Sequence, residues 1–359
     1  ARVSAMDFRF TDEQQMMADT VRGLLAETCR PVDLRRLMAS GAARDAARWS
    51  ALVELGLGGA LVPENAGGFG LTAADFVLVA EACGHAALPE PLVEHAGVAL
   101  PLLAALARDR RSATILDRAL AGEITIAVAH SANPFVADAD TAGAVLCLRD
   151  GDVHLCDADS VSLVPQPSAD PFRRLFTLAD RPCPTTAIAT AAEASAALDA
   201  ALDHGALFAA AQLVGIAQRA VELAVAYAGE RSQFGKPIGS YQAVKHLVAT
   251  AQVKIEFARP VVYAAAAEAH HGDAYSRARI SHAKLAAAEA ADLACRTAVQ
   301  VHGAMGYSWE VDVHFFLKRA LALASWWGDR RFHLDRVGRR AFDLPLGADR
   351  TFAREHDHA

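Results

Sequence analysis

The sequence predicts a mainly α-helical protein with a small β domain in the middle. An N-terminal helical domain spans 1–122, a reduced β domain 123–195, a C-terminal four-helix bundle 196–343 and a polar tail 344–359. Three observations carry this reading. Apolar residues recur at helical spacing in the first third, as at Met16, Met17, Val21, Leu24 and Leu25. Short β-type runs replace that pattern after about residue 123. From Ala196 to about Arg340 the chain is again helical and alanine-rich, with long apolar stripes suited to a tightly packed bundle.

The elements follow in order. Thr11-Asp12-Glu13-Gln14 is a capping box that opens the first helix. The stretch from Ala60 to Gly70, with Pro63 and paired Gly67-Gly68, breaks the helical pattern and reads as an interhelical loop. Ile124–Val128 and Ala144–Leu148 are strand-like, and Asp150-Gly151 between Leu148 and Val153 signals a hairpin. Pro165, Pro167, Pro171, Pro182 and Pro184 punctuate the rest of the sheet region. Ala1–Ala5 read as leader residues ahead of a native-like start at Met6-Asp7-Phe8.

Composition narrows the function classes. With 359 residues, 53% hydrophobic, the chain is long enough for a large core. A net charge of −7 argues against a nucleic-acid or anionic-membrane partner. Apolar runs interrupted by charge argue against a transmembrane helix, and no signal peptide is visible, so the expected location is cytoplasmic. Cys29, Cys83, Cys147, Cys156, Cys183 and Cys295 lack CxxC spacing and read as reduced, mostly buried thiols. The fourteen histidines form no ligand-like cluster, and the side chains of His270-His271 diverge on a helix, so no metal site is expected.

Two segments carry the chemistry. Residues 231–242, RSQFGKPIGSYQ, place Arg231, Phe234 and Gln242 where one helix ends and the next begins. They offer a fixed cation, an aromatic plane and an amide, groups that hold a phosphate, stack on an adenine and hydrogen-bond a nucleotide edge. Residues 300–306, QVHGAMG, set Gln300 before a small-residue turn that lets backbone approach a ligand. Taken singly, Arg231 reads as the partner of a carboxylate and Phe234 as ordinary core.

At these segments the chain resembles the acyl-CoA dehydrogenases, flavoenzymes that oxidise CoA thioesters. The resemblance runs to about residue 340 and is strongest in the C-terminal third. It also covers the loop at 60–70, similar to the family's VPE…GG loop. It implies FAD as cofactor and an acyl-CoA thioester as substrate. It implies that Arg231, Phe234, Gln242, Gln300, Gly303 and Ala304 grip the adenosine and pyrophosphate end of a FAD held in a neighbouring subunit. Ala304 stands where the family has a second glycine, a change that a backbone N–H contact tolerates unless φ is positive.

The other half of the family's site is eroded. The stretch Ala127–Val136 lacks the Thr-Glu-Pro and Gly-Ser that hold the flavin ring, and the sheet region has no tryptophan and is short for a full sandwich. The family's catalytic glutamate falls at Trp327 in one branch and near Gly205 in the other, so neither position carries a base. Asp329, after Gly328, is a displaced candidate whose ordinary role is a helix N-cap or a salt bridge with Arg330 or Arg331. Asp203 and His204 lie close to Gly205 in sequence, but one helical residue is about 100° of rotation, so that is not closeness to the substrate. Trp326-Trp327 either line or plug an acyl pocket, or pack at a subunit interface. The basic run Lys318, Arg319, Arg330, Arg331, Arg336, Arg339 and Arg340 either meets CoA phosphates or a partner's acidic face, or is a solvated face.

The asymmetry resembles the base-lacking subunit of heteromeric α2β2 bacterial enzymes acting on bulky, sterol side-chain CoA thioesters. A second acyl-CoA dehydrogenase subunit is then the expected partner. The alternatives are a self-contained homo-oligomeric enzyme using Asp329, and a non-enzymatic scaffold.

Overall fold

A computed structural model describes residues 9–149, 151–179 and 187–343. The expectations for Ala1–Ala5, Asp150, Pro182, Cys183, Pro184 and the tail fall outside these residues. Helix α1 (Asp12–Thr28) opens on the Thr11 capping box, with Gln14 closing it. Its buried stripe is Ala18, Val21 and Leu25, whereas Met16 is exposed, contrary to the pattern read from residue type. Short helices α2 (Pro31–Ser40) and α3 (Ala46–Glu54) lead into the Ala60–Gly70 loop and α4 (Ala73–His85).

The next helix is not regular. It starts as α5 (Leu92–Glu94), widens into a π turn at His95–Ala99 and resumes as α6 (Leu100–Leu106). Such single π turns inside helices recur at functional sites. Helix α7 (Arg110–Leu120) then hands the chain to the sheet region.

The sheet region makes two sheets. Strands β1 (Ile126–Ala129), β3 (Ala144–Arg149), β4 (Asp152–Asp157) and β7 (Ala187–Ala189) form one, in the order β1-β3-β4-β7. Strands β2 (Val136–Ala137), β6 (Leu175–Leu178) and β5 (Leu163–Gln166) form the other. The hairpin read at 150–151 is present: Leu148 pairs with Val153 and Arg149 with Asp152, antiparallel. Gly151 has φ +91, which glycine adopts without cost. Val145, Cys147, Cys156, Val136 and Phe176 pack between the sheets. Cys156 is disulfide-bonded, which corrects the expectation of reduced thiols throughout, while Cys29, Cys83, Cys147 and Cys295 are free and buried.

The bundle consists of α8 (Ala191–Glu230), α9 (Gln242–Glu268), α10 (Ala274–His302) and α11 (Val313–Ser325), with α12 (Arg330–Phe342) lying on α10. Alanine dominates their buried faces, so the helices approach closely. The tightest approach is α4 on α8, where a Cβ on Gly215 would sit 2.6 Å from the His85 nitrogen. By length and composition α8 alone among the described residues is apolar enough to cross a membrane, and its apolar stretch is mostly buried core.

The basic run is not one face. Arg319 is buried in an ion pair with Asp170, and Arg340 is buried with its guanidinium 3.9 Å from the Tyr275 ring centroid. Arg336 pairs with Asp203 at 2.5 Å, while Lys318 sits over the Trp309 ring. His270 and His271 do not diverge on a helix: they lie in a 3-10 turn with ring centroids 3.9 Å apart. No group of three metal-ligating side chains occurs among the described residues.

Candidate functional site

The first half-site lies at one end of the bundle. Helix α8 ends at Arg231, which is exposed and whose guanidinium pairs with no described carboxylate. The chain then makes a tight hairpin, β8 (Ser232–Gln233) against β9 (Lys236–Pro237), with Phe234-Gly235 at its tip. Both tip residues have positive φ, +54 and +82. A two-residue turn of this hand normally takes Asn-Gly, and an aromatic residue there is strained. The strain holds the Phe234 ring 93% exposed, so it is not core.

Gln242 is the exposed first residue of α9, and Gln300 is exposed in the last turn of α10. Tyr227 on α8 stacks on His302 on α10 with ring centroids 4.2 Å apart. That stack fixes the two helix ends side by side, so both sequence motifs share one end of the bundle. Gly303 has φ +59 and ψ −136, which a side chain would resist, and Ala304 is not among the positive-φ residues. The departure from the paired-glycine pattern therefore costs no backbone strain.

The second half-site lies where the N-terminal helices, the sheet and the bundle meet. The two positions expected for a base converge there. A Cβ on Gly205 of α8 would overlap the Trp327 indole at Cδ2 and lie 2.5 Å from Cε2 and Cγ. Trp327 is 1% exposed and Trp326 is 5% exposed within this one chain, so they do not pack at a subunit interface. Asp203 faces away, tied to Arg336 and Arg277, and His204 packs by Phe208. Asp329 is the N-cap of α12, its carboxylate accepting from the Phe332 backbone N–H at 2.8 Å.

Residues that the sequence reading missed surround the indoles. Glu94, on the last turn before the π segment, accepts from Trp327 Nε1 at 2.9 Å and lies 3.6 Å from Arg173. Burial raises its pKa, against the pull of Arg173 and the Trp327 N–H. Asn133 Oδ1 accepts from the Trp327 backbone N–H at 2.7 Å. Lys284, fully buried and pulled down to about 7 by that burial, donates to the Trp326 carbonyl at 2.5 Å and the Leu323 carbonyl at 2.8 Å. Burial holds His333 neutral, near pKa 3, so its Nε2–H donates to the Trp327 carbonyl and its Nδ1 accepts from Ser281. The π turn beside Glu94 marks the place locally in the structure, and helical periodicity in sequence does not reveal it.

A helical N-terminal part, two small sheets and a helical bundle define the fold class of flavin-dependent dehydrogenases of acyl thioesters. The chain belongs to the acyl-CoA dehydrogenase family: the family's N-terminal domain matches residues 11–123 and its C-terminal domain residues 195–342. The acyl-CoA dehydrogenase IpdE2 of Mycobacterium tuberculosis is 34% identical over 339 residues, covering 93% of this chain and 99% of that protein. Among solved structures, the ChsE4-ChsE5 complex from Mycobacterium tuberculosis aligns with a TM-score of 0.81 at 22% identity, over 95% of this chain and 100% of that one. The Tcur3481-Tcur3483 steroid acyl-CoA dehydrogenase variant aligns with a TM-score of 0.78 at 23% identity, over 91% and 97%. Members of the acyl-CoA dehydrogenase family are oxidoreductases, and the family's cofactor is FAD.

The two halves fit that cofactor differently. An unpaired guanidinium, an exposed aromatic ring and two exposed amides suit the adenosine and pyrophosphate end. The ring end does not fit. The Asn133 segment and the Trp327 turn are in direct hydrogen-bond contact, whereas a flavin ring between two walls needs about 7 Å and a stacked acyl chain a further ~3.5 Å. The cavity lined by Glu94, Asp138 and Trp326 holds about 20 Å3, room for one water.

Proposed function

We propose that this chain is one subunit of a heteromeric, FAD-dependent acyl-CoA dehydrogenase. It lends the adenosine-side grip, through Arg231, Phe234, Gln242, Gln300 and the Gly303-Ala304 backbone, to a FAD whose ring pocket and catalytic glutamate belong to a second subunit. The reaction is α,β-dehydrogenation of a CoA thioester. A carboxylate of the partner removes the α proton, and FAD, when bound, accepts the hydride from the β carbon. The observation that carries this reading is the filled junction: Trp327 occupies the space beside Gly205, and neither position bears a carboxylate.

Three further observations support it. The grip residues are all exposed in the single chain, available to a neighbour. Helix α9 also leaves Leu247, Val253 and Phe257 exposed, the last by 73%, apolar surface of the kind a partner covers. Two structural relatives are two-component assemblies by their descriptions, and one is described as acting in steroid chemistry. A bulky, sterol-type acyl group and a cytoplasmic location complete the proposal.

The test is to co-express the chain with a candidate companion dehydrogenase and count flavin. One FAD per heterodimer, none on this chain alone, and flavin lost from the complex by at least tenfold in Arg231→Ala supports the assignment. The charge-assisted bonds of that guanidinium are worth about 1.5–3 kcal/mol. One FAD per chain on the purified protein alone overturns it in favour of the self-contained enzyme.

A further inference from the structure

A separate cleft lies between α1, α2, α4, α8 and the start of α11. It holds about 470 Å3, within the range of small-molecule sites. It shares no lining residue with the cavity beside Glu94 and includes none of the residues proposed to grip FAD. Its inner wall is apolar and built from the buried residues Leu25, Cys29, Leu34, Ala82 and Phe316. Two carboxylates also line it, and both are spent inside the protein. Glu81 accepts from Arg259 at 3.3 Å and from the Tyr263 hydroxyl at 2.6 Å. Glu222 pairs with His85 Nε2 at 2.8 Å and accepts from Arg219 at 3.2 Å and Gln218 at 3.4 Å. Three guanidiniums line the cleft, and they are not spent in return. Among the described residues Arg219 uses only Nη1, on Glu222, and Arg22 only Nη1, on Asp19, while Arg30 leaves its Nη1 unused. Their side chains are 31%, 48% and 57% exposed, which puts them at the mouth.

We propose that this cleft binds a small amphipathic carboxylate, its head at Arg219 and its apolar body along Leu25, Leu34 and Phe316. The donor–acceptor balance selects an anion: N–H groups remain at the mouth, and the carboxylates of the wall already have their donors. Arg219 is the direct partner because it is the least exposed of the three, where a charge-assisted bond is least weakened by water. Arg22 and Arg30 add positive field around it. Glu222 sits against Arg219 and repels a second negative charge, so a singly charged carboxylate fits better than a doubly charged phosphate. The apolar wall then sets the second requirement, a hydrocarbon body, since a head alone leaves that wall wet. The site needs neither FAD nor a second subunit, so it stands apart from the two-subunit reading.

The probe is octanoate, titrated into the full chain by calorimetry, with octanol as the same chain without charge and acetate as the head without the chain. One octanoate per chain is expected, bound at least tenfold more tightly than either control and less tightly as salt is raised. Arg219→Gln should weaken octanoate at least tenfold and leave octanol unchanged. Ala26 is exposed and lines the cleft, so Ala26→Trp should fill it and abolish binding of both. Both substitutions lie at the surface, and circular dichroism checks their fold. The ranking of the three probes on the wild type decides the matter if a variant does not fold. No saturable binding up to roughly 10 mM octanoate, octanol bound as well as octanoate, or an octanoate affinity indifferent to both substitutions overturns the assignment. Failure of the subunit reading appears separately, in the flavin count.

Discussion

Gly205→Ala sets two effects of opposite sign against each other. Gly205 lies in the interior of the 40-residue helix α8, where alanine in place of glycine stabilises by about 0.5–1 kcal/mol. The added methyl would however meet the Trp327 indole, with Cε2 and Cγ 2.5 Å away. The ring cannot yield, because Asn133, Glu94 and His333 hold its backbone and its N–H. Overpacking of this kind costs about 1–3 kcal/mol, so the net expectation is destabilisation of about 1–2 kcal/mol. In a Trp327→Gly background the methyl has room, and the same substitution should stabilise by the helix-propensity amount. The coupling between the two sites is therefore the overpacking cost itself, about 1–3 kcal/mol. Urea unfolding followed by far-ultraviolet circular dichroism gives the four midpoints of the cycle, with the slope checked for constancy. A stabilising effect of Gly205→Ala in the otherwise wild-type chain would show that the indole does not occupy this space and would refute the reasoning.

Asp329 caps α12, and on the two-subunit reading it is not the base: Asp329→Asn, which keeps the cap, should leave turnover of the assembled enzyme within a few-fold, and Asp329→Ala should cost about 1 kcal/mol of stability. A hundredfold fall in kcat for the asparagine variant, with flavin still bound, would make it a catalytic residue. Acid stability should track Glu222. Desolvation pushes its carboxyl up, but the His85 hydrogen bond and charge, with Arg219, outweigh that and hold it at about 2. A carboxylate depressed on folding contributes stability above its unfolded value of about 4.3, lost as pH falls toward 2. Melting temperature against pH between 2 and 5 should thus be flatter for Glu222→Gln than for the wild type, and parallel curves would contradict this.

The fold class was legible because it rests on local signals. The Thr11 capping box and the switch from helical to β-type pattern and back each need only a few neighbouring residues. Met16 shows the limit of that reading: α1 turns alanine and valine inward and leaves the larger methionine out. The exposed segment at 231–242 was legible as a break between two helices, although the strained hairpin that exposes Phe234 was not, since glycine follows it and an aromatic residue is a poor signal for that turn. The junction was largely invisible. Glu94 and Trp327 are 233 residues apart, Asn133 and Trp327 are 194 apart, and no local rule pairs them. The same holds for Arg319 and Arg340, which read as surface charge and are buried.

Glu94 decides how far a self-contained enzyme remains viable. It is the carboxyl nearest the converged base positions, and a desolvated carboxyl with a raised pKa is what a general base often looks like. Proton abstraction also requires a free oxygen within about 3 Å of the substrate's α carbon hydrogen and space for that carbon. One Glu94 oxygen is committed to the Trp327 N–H, and the other faces Arg173. Beside them is space for about one water. Freeing Glu94 would mean expelling a tryptophan held by hydrogen bonds at its indole N–H, its backbone N–H and its carbonyl, from a turn pinned by Lys284 as well. That rearrangement would leave a buried carboxyl and a buried ammonium partly unsatisfied at once, each a costly state. A base supplied by another chain, over a FAD that this chain grips only from outside, requires no such opening. On energetic grounds the two-subunit arrangement is therefore favoured over a relocated base within this chain.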